Sequence, residues 1–138
     1  MSTVMRNKSD CYCVNLRRAA NIMTEIYDKH LEAADITLPQ YCLLSNLRKM
    51  DGCSVSDLAN GVGLERTTLV RTLKPLTARG LISDISEPGT RRRKLHLTEE
   101  GLKIVAKAKP LWVEAQNEIE QRIGKENAAV LLQLSEKL

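Results

Sequence analysis

Between Val55 and Leu76 the side chains sort by what they could donate. Thr67, Thr68, Arg71 and Thr72 recur at i, i+1, i+4 and i+5, which gathers them on one side of an α-helix, while Leu69, Leu73 and Leu76 fall on the other. An arginine on such a face donates two hydrogen bonds to guanine O6 and N7, and threonine methyls pack on thymine methyls. Thr67 and Thr68 stand near the helix start, where hydroxyl and backbone donors equally suit a phosphate. Ser56 and Arg66 complete this candidate set.

A second group lies downstream. Arg91, Arg92 and Arg93 follow a Pro88-Gly89 turn and precede Lys94-Leu95-His96-Leu97, with Leu81-Ile82-Ser83-Asp84-Ile85 on the other side of the turn. The pattern predicts a β-hairpin with cations at and beside its tip. Side chains alternate along a strand, so the three arginines cannot all point one way. At least one should project into a minor groove, where a narrow A·T tract concentrates negative potential, and the others should pair with phosphate. The chemistry is that of duplex DNA contact.

Those groups need a frame. Val55–Ala59 reads as a short helix capped by Ser54, Gly61 and Gly63 permit a tight turn, and Leu64 anchors the following helix. Pro75 is expected to kink or loosen the last turn of that helix, and Gly80 to close it. Helix, turn, helix and basic hairpin together describe a winged helix-turn-helix. Ahead of it, Asp10 is the expected cap of a long helix with apolar positions Cys13, Leu16, Ala20, Met23, Tyr27 and Leu31. Thr37 or Leu38 opens a second helix with Pro39 in its first turn and Tyr41, Leu44, Leu47 and Met50 inward. Behind the hairpin, Thr98-Glu99-Glu100 starts a long helix through Leu102, Val105, Trp112, Ile119 and Ile123, bent at Pro110 and ended by Gly124. A last helix carries Ala128, Leu131, Leu132 and Leu134.

The expected fold is mainly α with a small β-hairpin wing, a single domain over 1–138. Residues 37–98 form the DNA-binding lobe; 1–36 and 99–138 supply dimerisation helices. Apolar stripes at both ends exceed what three helices and a wing can cover, so a homodimer matching a palindromic operator follows.

Composition agrees. A chain of 138 residues buries a core without staples, and with no Phe and one Trp that core must be aliphatic. The net charge of +4 is compatible with a polyanion. No apolar run spans a membrane and no signal-peptide block opens the chain, so a cytoplasmic location is expected, with Cys11, Cys13, Cys42 and Cys53 reduced. Cys11 and Cys13 lie at the start of the first helix with Arg17 and Arg18 a turn away, a setting that favours thiolate and makes them candidates for oxidant sensing. Separated by i, i+2 they fall on nearly opposite sides of a helix, which disfavours a direct bridge and leaves one to Cys42 or another subunit open. The plainer reading is that they are small apolar residues. Cys11-x-Cys13 with His30 and His96 far apart lacks a four-ligand pattern, so no metal or cofactor is expected. Tyr27, His30, Tyr41 and Trp112 could line a cleft between the terminal helices and the DNA-binding lobe.

At Leu58-Ala59, Thr67-Thr68-Leu69-Val70-Arg71-Thr72-Leu73, Leu76, Arg79-Gly80-Leu81-Ile82, Arg91-Arg92 and Leu97-Thr98-Glu99-Glu100-Gly101 the chain resembles the MarR family of bacterial transcriptional regulators. The resemblance implies a homodimer built from the terminal regions, a recognition helix in the major groove and Arg92 as the wing arginine. It also implies repression relieved by a small aromatic ligand or by oxidation. Members commonly carry an aspartate just before the arginine pair; this chain has Thr90, leaving Asp84 or Glu87 to orient Arg92, or a looser wing. An enzyme is disfavoured, because no Ser-His-Asp set, phosphate loop or metal pentapeptide is present. A winged-helix adaptor for protein contacts alone is the alternative, and it would not need arginines at the wing tip.

Overall fold

The computed structural model describes residues 9–84 and 94–138. In chain order it has α1 (Tyr12–Leu31), a 3-10 turn (Glu32–Ala34), α2 (Leu38–Lys49), α3 (Val55–Val62), α4 (Arg66–Ala78), β1 (Ile82–Asp84), β2 (Leu95–Leu97), α5 (Glu99–Ile123) and α6 (Lys125–Lys137). The two strands pair antiparallel with Ile82 opposite Leu97 and Asp84 opposite Leu95. The expected mainly helical winged fold is what the chain adopts.

Local chemistry sets most boundaries. Thr37 and Gln40 form a reciprocal capping box at α2, and Ser54 with Asp57 forms another at α3. The end of α4 is a Schellman closure: Gly80 takes φ +73°, its N–H donates to Thr77 O, and Leu81 N–H donates to Leu76 O. Thr98 caps α5 by accepting from Gly101 N–H, while its hydroxyl donates to Gly80 O at 2.6 Å.

Several expectations need correction. Asp10 does not cap α1: Cys11 holds the N-cap position with no side-chain bond, and Ser9 Oγ accepts the Cys11 N–H instead. Along α1, Cys13, Leu16 and Ala20 are exposed, and the first fully buried residue is Ile26. Gly61 lies inside α3 rather than in the turn, which falls to Gly63 at φ +70°. Pro75 and Pro110 both sit within continuous helices. Past Pro75, the burial of Leu73 and Leu76 and the Schellman bonds hold the last turn of α4.

Three apolar clusters stack along the molecule. The first unites α2, α3, α4 and the hairpin through Leu43, Leu44, Leu47, Leu58, Leu69, Leu73, Leu76 and Leu95, and Val105 of α5 joins it. A second joins Leu31, Ala34, Ile36 and Tyr41 to Ala108. A third holds α1 against α5 through Ile26, Ala115 and Ile119. Arg79, just past α4, donates to Asp35 O at 2.8 Å and faces its carboxylate at 3.6 Å, so the end of the fourth helix is tied to the turn after the first. No helix among the described residues is long and apolar enough to cross a membrane.

Candidate nucleic-acid interface

The outward face of α4 is built by what lies beneath it. Leu69, Leu73 and Leu76 are buried in the first cluster, which fixes the roll of the helix about its axis. Arg66, Thr67, Thr68, Arg71 and Lys74 are thereby exposed, and Ser56 is exposed on α3. No carboxylate among the described residues pairs with Arg66, Arg71 or Lys74. Glu65 at the N-cap makes no side-chain bond to the helix start, so the first-turn amides remain open to an acceptor. The result is a polar face with three cations and open donors, suited to phosphate oxygens and base edges.

Thr72 departs from the expected face. It is half-buried and its hydroxyl donates to Thr68 O at 3.0 Å, so its one donor is already engaged. Lys74, absent from the sequence-derived set, joins the face one turn after Val70. Its position is legible from the helical period, since it falls opposite the buried leucines.

The hairpin leaves the same core. Leu95 is buried, Cys53 pairs with it in an isolated bridge, and His96 Nδ1 meets Asp51 at 2.7 Å. That pair fastens the base of the hairpin to the α2–α3 turn. Asp84 accepts the Lys94 N–H at 3.2 Å. Arg91, Arg92 and Arg93, with Glu87 and Thr90, lie outside the described residues.

A cavity of about 540 Å³ opens between α2 and α5. Tyr41, Cys42, Val105 and Trp112 provide its apolar and aromatic wall, and Arg48, Lys49 and Lys109 its cationic rim. The Tyr41 and Trp112 rings stand 6.0 Å apart, tilted by 31°. Burial pushes the Cys42 thiol and the Tyr41 phenol up from their ordinary values. Tyr27 and His30 do not line this cavity: Tyr27 donates to Gln116, and His30 faces Glu118 at 3.2 Å and Glu114 at 3.6 Å. Sequence reasoning missed Arg48, Lys49 and Lys109, because no single period links residues on two helices.

Cys11 and Cys13 are exposed, whereas Cys42 and Cys53 are half-buried. Cys42 lies near Tyr27, whose phenol it helps push up. Tyr27 is fourteen residues along α1 from Cys13, or about 21 Å at the helical rise. A bridge from Cys13 to Cys42 is thus out of reach in this fold.

A profile of the MarR family matches residues 34–93. Among solved structures, the transcriptional regulator MosR of M. tuberculosis, determined in complex with DNA, is 31% identical. The match covers 93% of this chain and 98% of that one with a TM-score of 0.77. MepR of S. aureus, also determined as a DNA complex, is 25% identical over 94% of this chain and 100% of that one, with a TM-score of 0.78. The PcaV transcriptional regulator of Streptomyces coelicolor, 23% identical, shares the fold with a TM-score of 0.83 over 99% of this chain and 96% of that one.

Proposed function

The chain belongs to the MarR family, and on that premise we propose that it is a DNA-binding transcriptional regulator, not an enzyme, that reads a palindromic operator as a homodimer. The observation that carries this reading is the outward face of α4, where Arg66, Arg71 and Lys74 stand without carboxylate partners among the described residues on a helix rolled into place by buried leucines. The DNA complexes of MosR and MepR support it. Arg71 reads a guanine edge, Ser56, Arg66, Thr67 and Thr68 hold phosphate, and Arg91, Arg92 and Arg93 serve the minor groove and its walls.

What one chain leaves uncovered supports a second copy. α6 has no buried residue, and Val130, Leu132 and Leu134 on it are exposed, as are Leu138 just past it and Tyr12 and Leu16 of α1. An apolar groove between α1 and α5, lined by Ala19, Ile22, Met23, Ile26, Ile119 and Ile123, continues that surface.

The regulator acts as a repressor released by a small aromatic ligand. Tyr41 and Trp112 offer it a stacking wall, and Arg48, Lys49 and Lys109 favour an anionic group. The cavity lies between a helix of the DNA-binding lobe and a helix of the dimerisation lobe. A ligand that binds one lobe spacing better than another therefore shifts the separation of the two recognition helices. Oxidation at the exposed Cys11 and Cys13 is a second route to release.

The test is a hydroxyl-radical footprint on duplexes selected from a randomised pool by the full-length protein. Two protected segments related by twofold symmetry and about 10 bp apart are expected. An adaptor that uses the fold for protein contacts alone leaves no footprint.

A further inference from the structure

We propose that Val70 reads a thymine methyl group in the major groove, a specificity contact that rests on the DNA-binding reading of α4. Single exposed apolar side chains are ordinary; the position of this one is not. Val70 is 42% exposed on the helix that carries the cationic face. Its helical neighbours are Arg66 one turn before, Thr67 at i−3 and Lys74 one turn after, all exposed. An isopropyl group is therefore set among cations, at the rim of the face opposite Leu69, Leu73 and Leu76.

Folding does not ask for valine there. At an exposed helical position a β-branched residue is a weaker helix former than alanine, lysine or glutamine. Binding gives it a use. Base edges in the major groove display nitrogen and oxygen donors and acceptors and a single apolar group, the C5-methyl of thymine. An isopropyl group pressed on a donor or acceptor strips its water and returns no hydrogen bond. Pressed on a methyl, it removes apolar surface of both from water. Arg66 and Lys74 have the reach for phosphates on either side, whereas valine is short and meets only what lies directly under the helix.

The experiment uses duplexes selected from a randomised pool by the full-length protein. Each thymine of the selected half-site is replaced in turn by deoxyuridine, which keeps the pairing and lacks only the methyl. For the parent protein, one position, the same in both half-sites, should weaken binding by about fourfold per half-site, the worth of one buried methyl group. In Val70→Ala that position should become indifferent to the replacement, while the salt slope and the thermal midpoint stay those of the parent. Equal uracil penalties in both proteins at every position would overturn the assignment and leave duplex binding standing. A pool that yields no selective duplex would overturn the reading of α4 as a DNA reader, and the assignment with it.

Discussion

Gly101 decides whether the hairpin and the fifth helix can share one joint. A Cβ at this position would fall well inside 3.0 Å of the Leu81 carbonyl oxygen and 3.1 Å from Leu97 Cδ2. The obstacle is backbone, and it is engaged: Leu81 O accepts the Thr98 N–H at 3.1 Å. The same joint holds the Thr98 cap on Gly101 N–H and the Thr98 hydroxyl on Gly80 O. Gly101→Ala must open it. Losing the cap costs about 1 kcal/mol, and each further hydrogen bond adds about 0.5–1.5 kcal/mol, for a total of about 2–4 kcal/mol. Helix propensity pulls the other way by about 1 kcal/mol, because alanine replaces glycine inside a helix. The joint wins by about 1–3 kcal/mol, and the midpoint of thermal unfolding followed by circular dichroism should fall by roughly 3–10 °C for a chain of this length, at fixed protomer concentration. Gly61→Ala is the control. There the added methyl meets Met50 Sδ, the far end of a flexible side chain, so propensity should dominate and the midpoint should hold or rise. A Gly101→Ala variant as stable as the parent would refute the reasoning.

Further outcomes follow from the same structure. Arg71→Ala should weaken binding to a selected duplex by about 1–3 kcal/mol at fixed salt. Thr72→Ala should change it by less than about 0.5 kcal/mol, because that hydroxyl is already given to Thr68 O; fluorescence anisotropy separates the two. Stability should fall at alkaline pH. The Cys42 and Cys53 thiols are raised from 9.0 and the Tyr27 and Tyr41 phenols from 10.0, chiefly by burial, so the folded chain keeps protons that the unfolded chain releases. That contribution is complete below pH 9 and is lost as pH climbs through 9–10 and beyond, so the urea midpoint should drop between pH 8 and pH 10.5, and an unchanged midpoint would contradict it. A thiol-reactive dye at pH 8 should label the exposed Cys11 and Cys13 in a fast phase and the half-buried Cys42 and Cys53 in a slow one. Four fast thiols would contradict the burial.

Much of this architecture was legible because its signals are local. Thr37 with Gln40, Ser54 with Asp57 and Thr98 each announce a helix start through the side chain that satisfies it. Leu69, Leu73 and Leu76 announce the buried side of α4 by period alone, and Arg79-Gly80-Leu81 its end. Where two local signals compete, residue type is a poor guide. Asp10 looked the better cap, yet the chain enters α1 at Cys11 with Ser9 folded back on it. Pro75 and Pro110 mark places where a helix loses a backbone donor, and both helices run on through them. The helical period places Val70 on neither face, and its exposure shows only in the folded chain. The cavity was half legible. Tyr41 and Trp112 stand out as aromatics, whereas Arg48, Lys49 and Lys109 come together only when α2 meets α5. The exposure of Leu16, Val130 and Leu132 in one chain is the structural form of the excess apolar stripe that the sequence predicts at both ends.

The most direct test of the central claim is a titration of reduced, full-length protein against a selected duplex and a scrambled one, repeated at several salt concentrations. The account predicts two protomers per duplex and tighter binding to the selected sequence. It also predicts a plot of log affinity against log salt whose slope steepens by about 0.9 for each phosphate contacted, and which loses part of that slope in Arg91→Ala/Arg92→Ala. Weak binding that treats both duplexes alike, with a shallow slope that the two alanines leave unchanged, would contradict it.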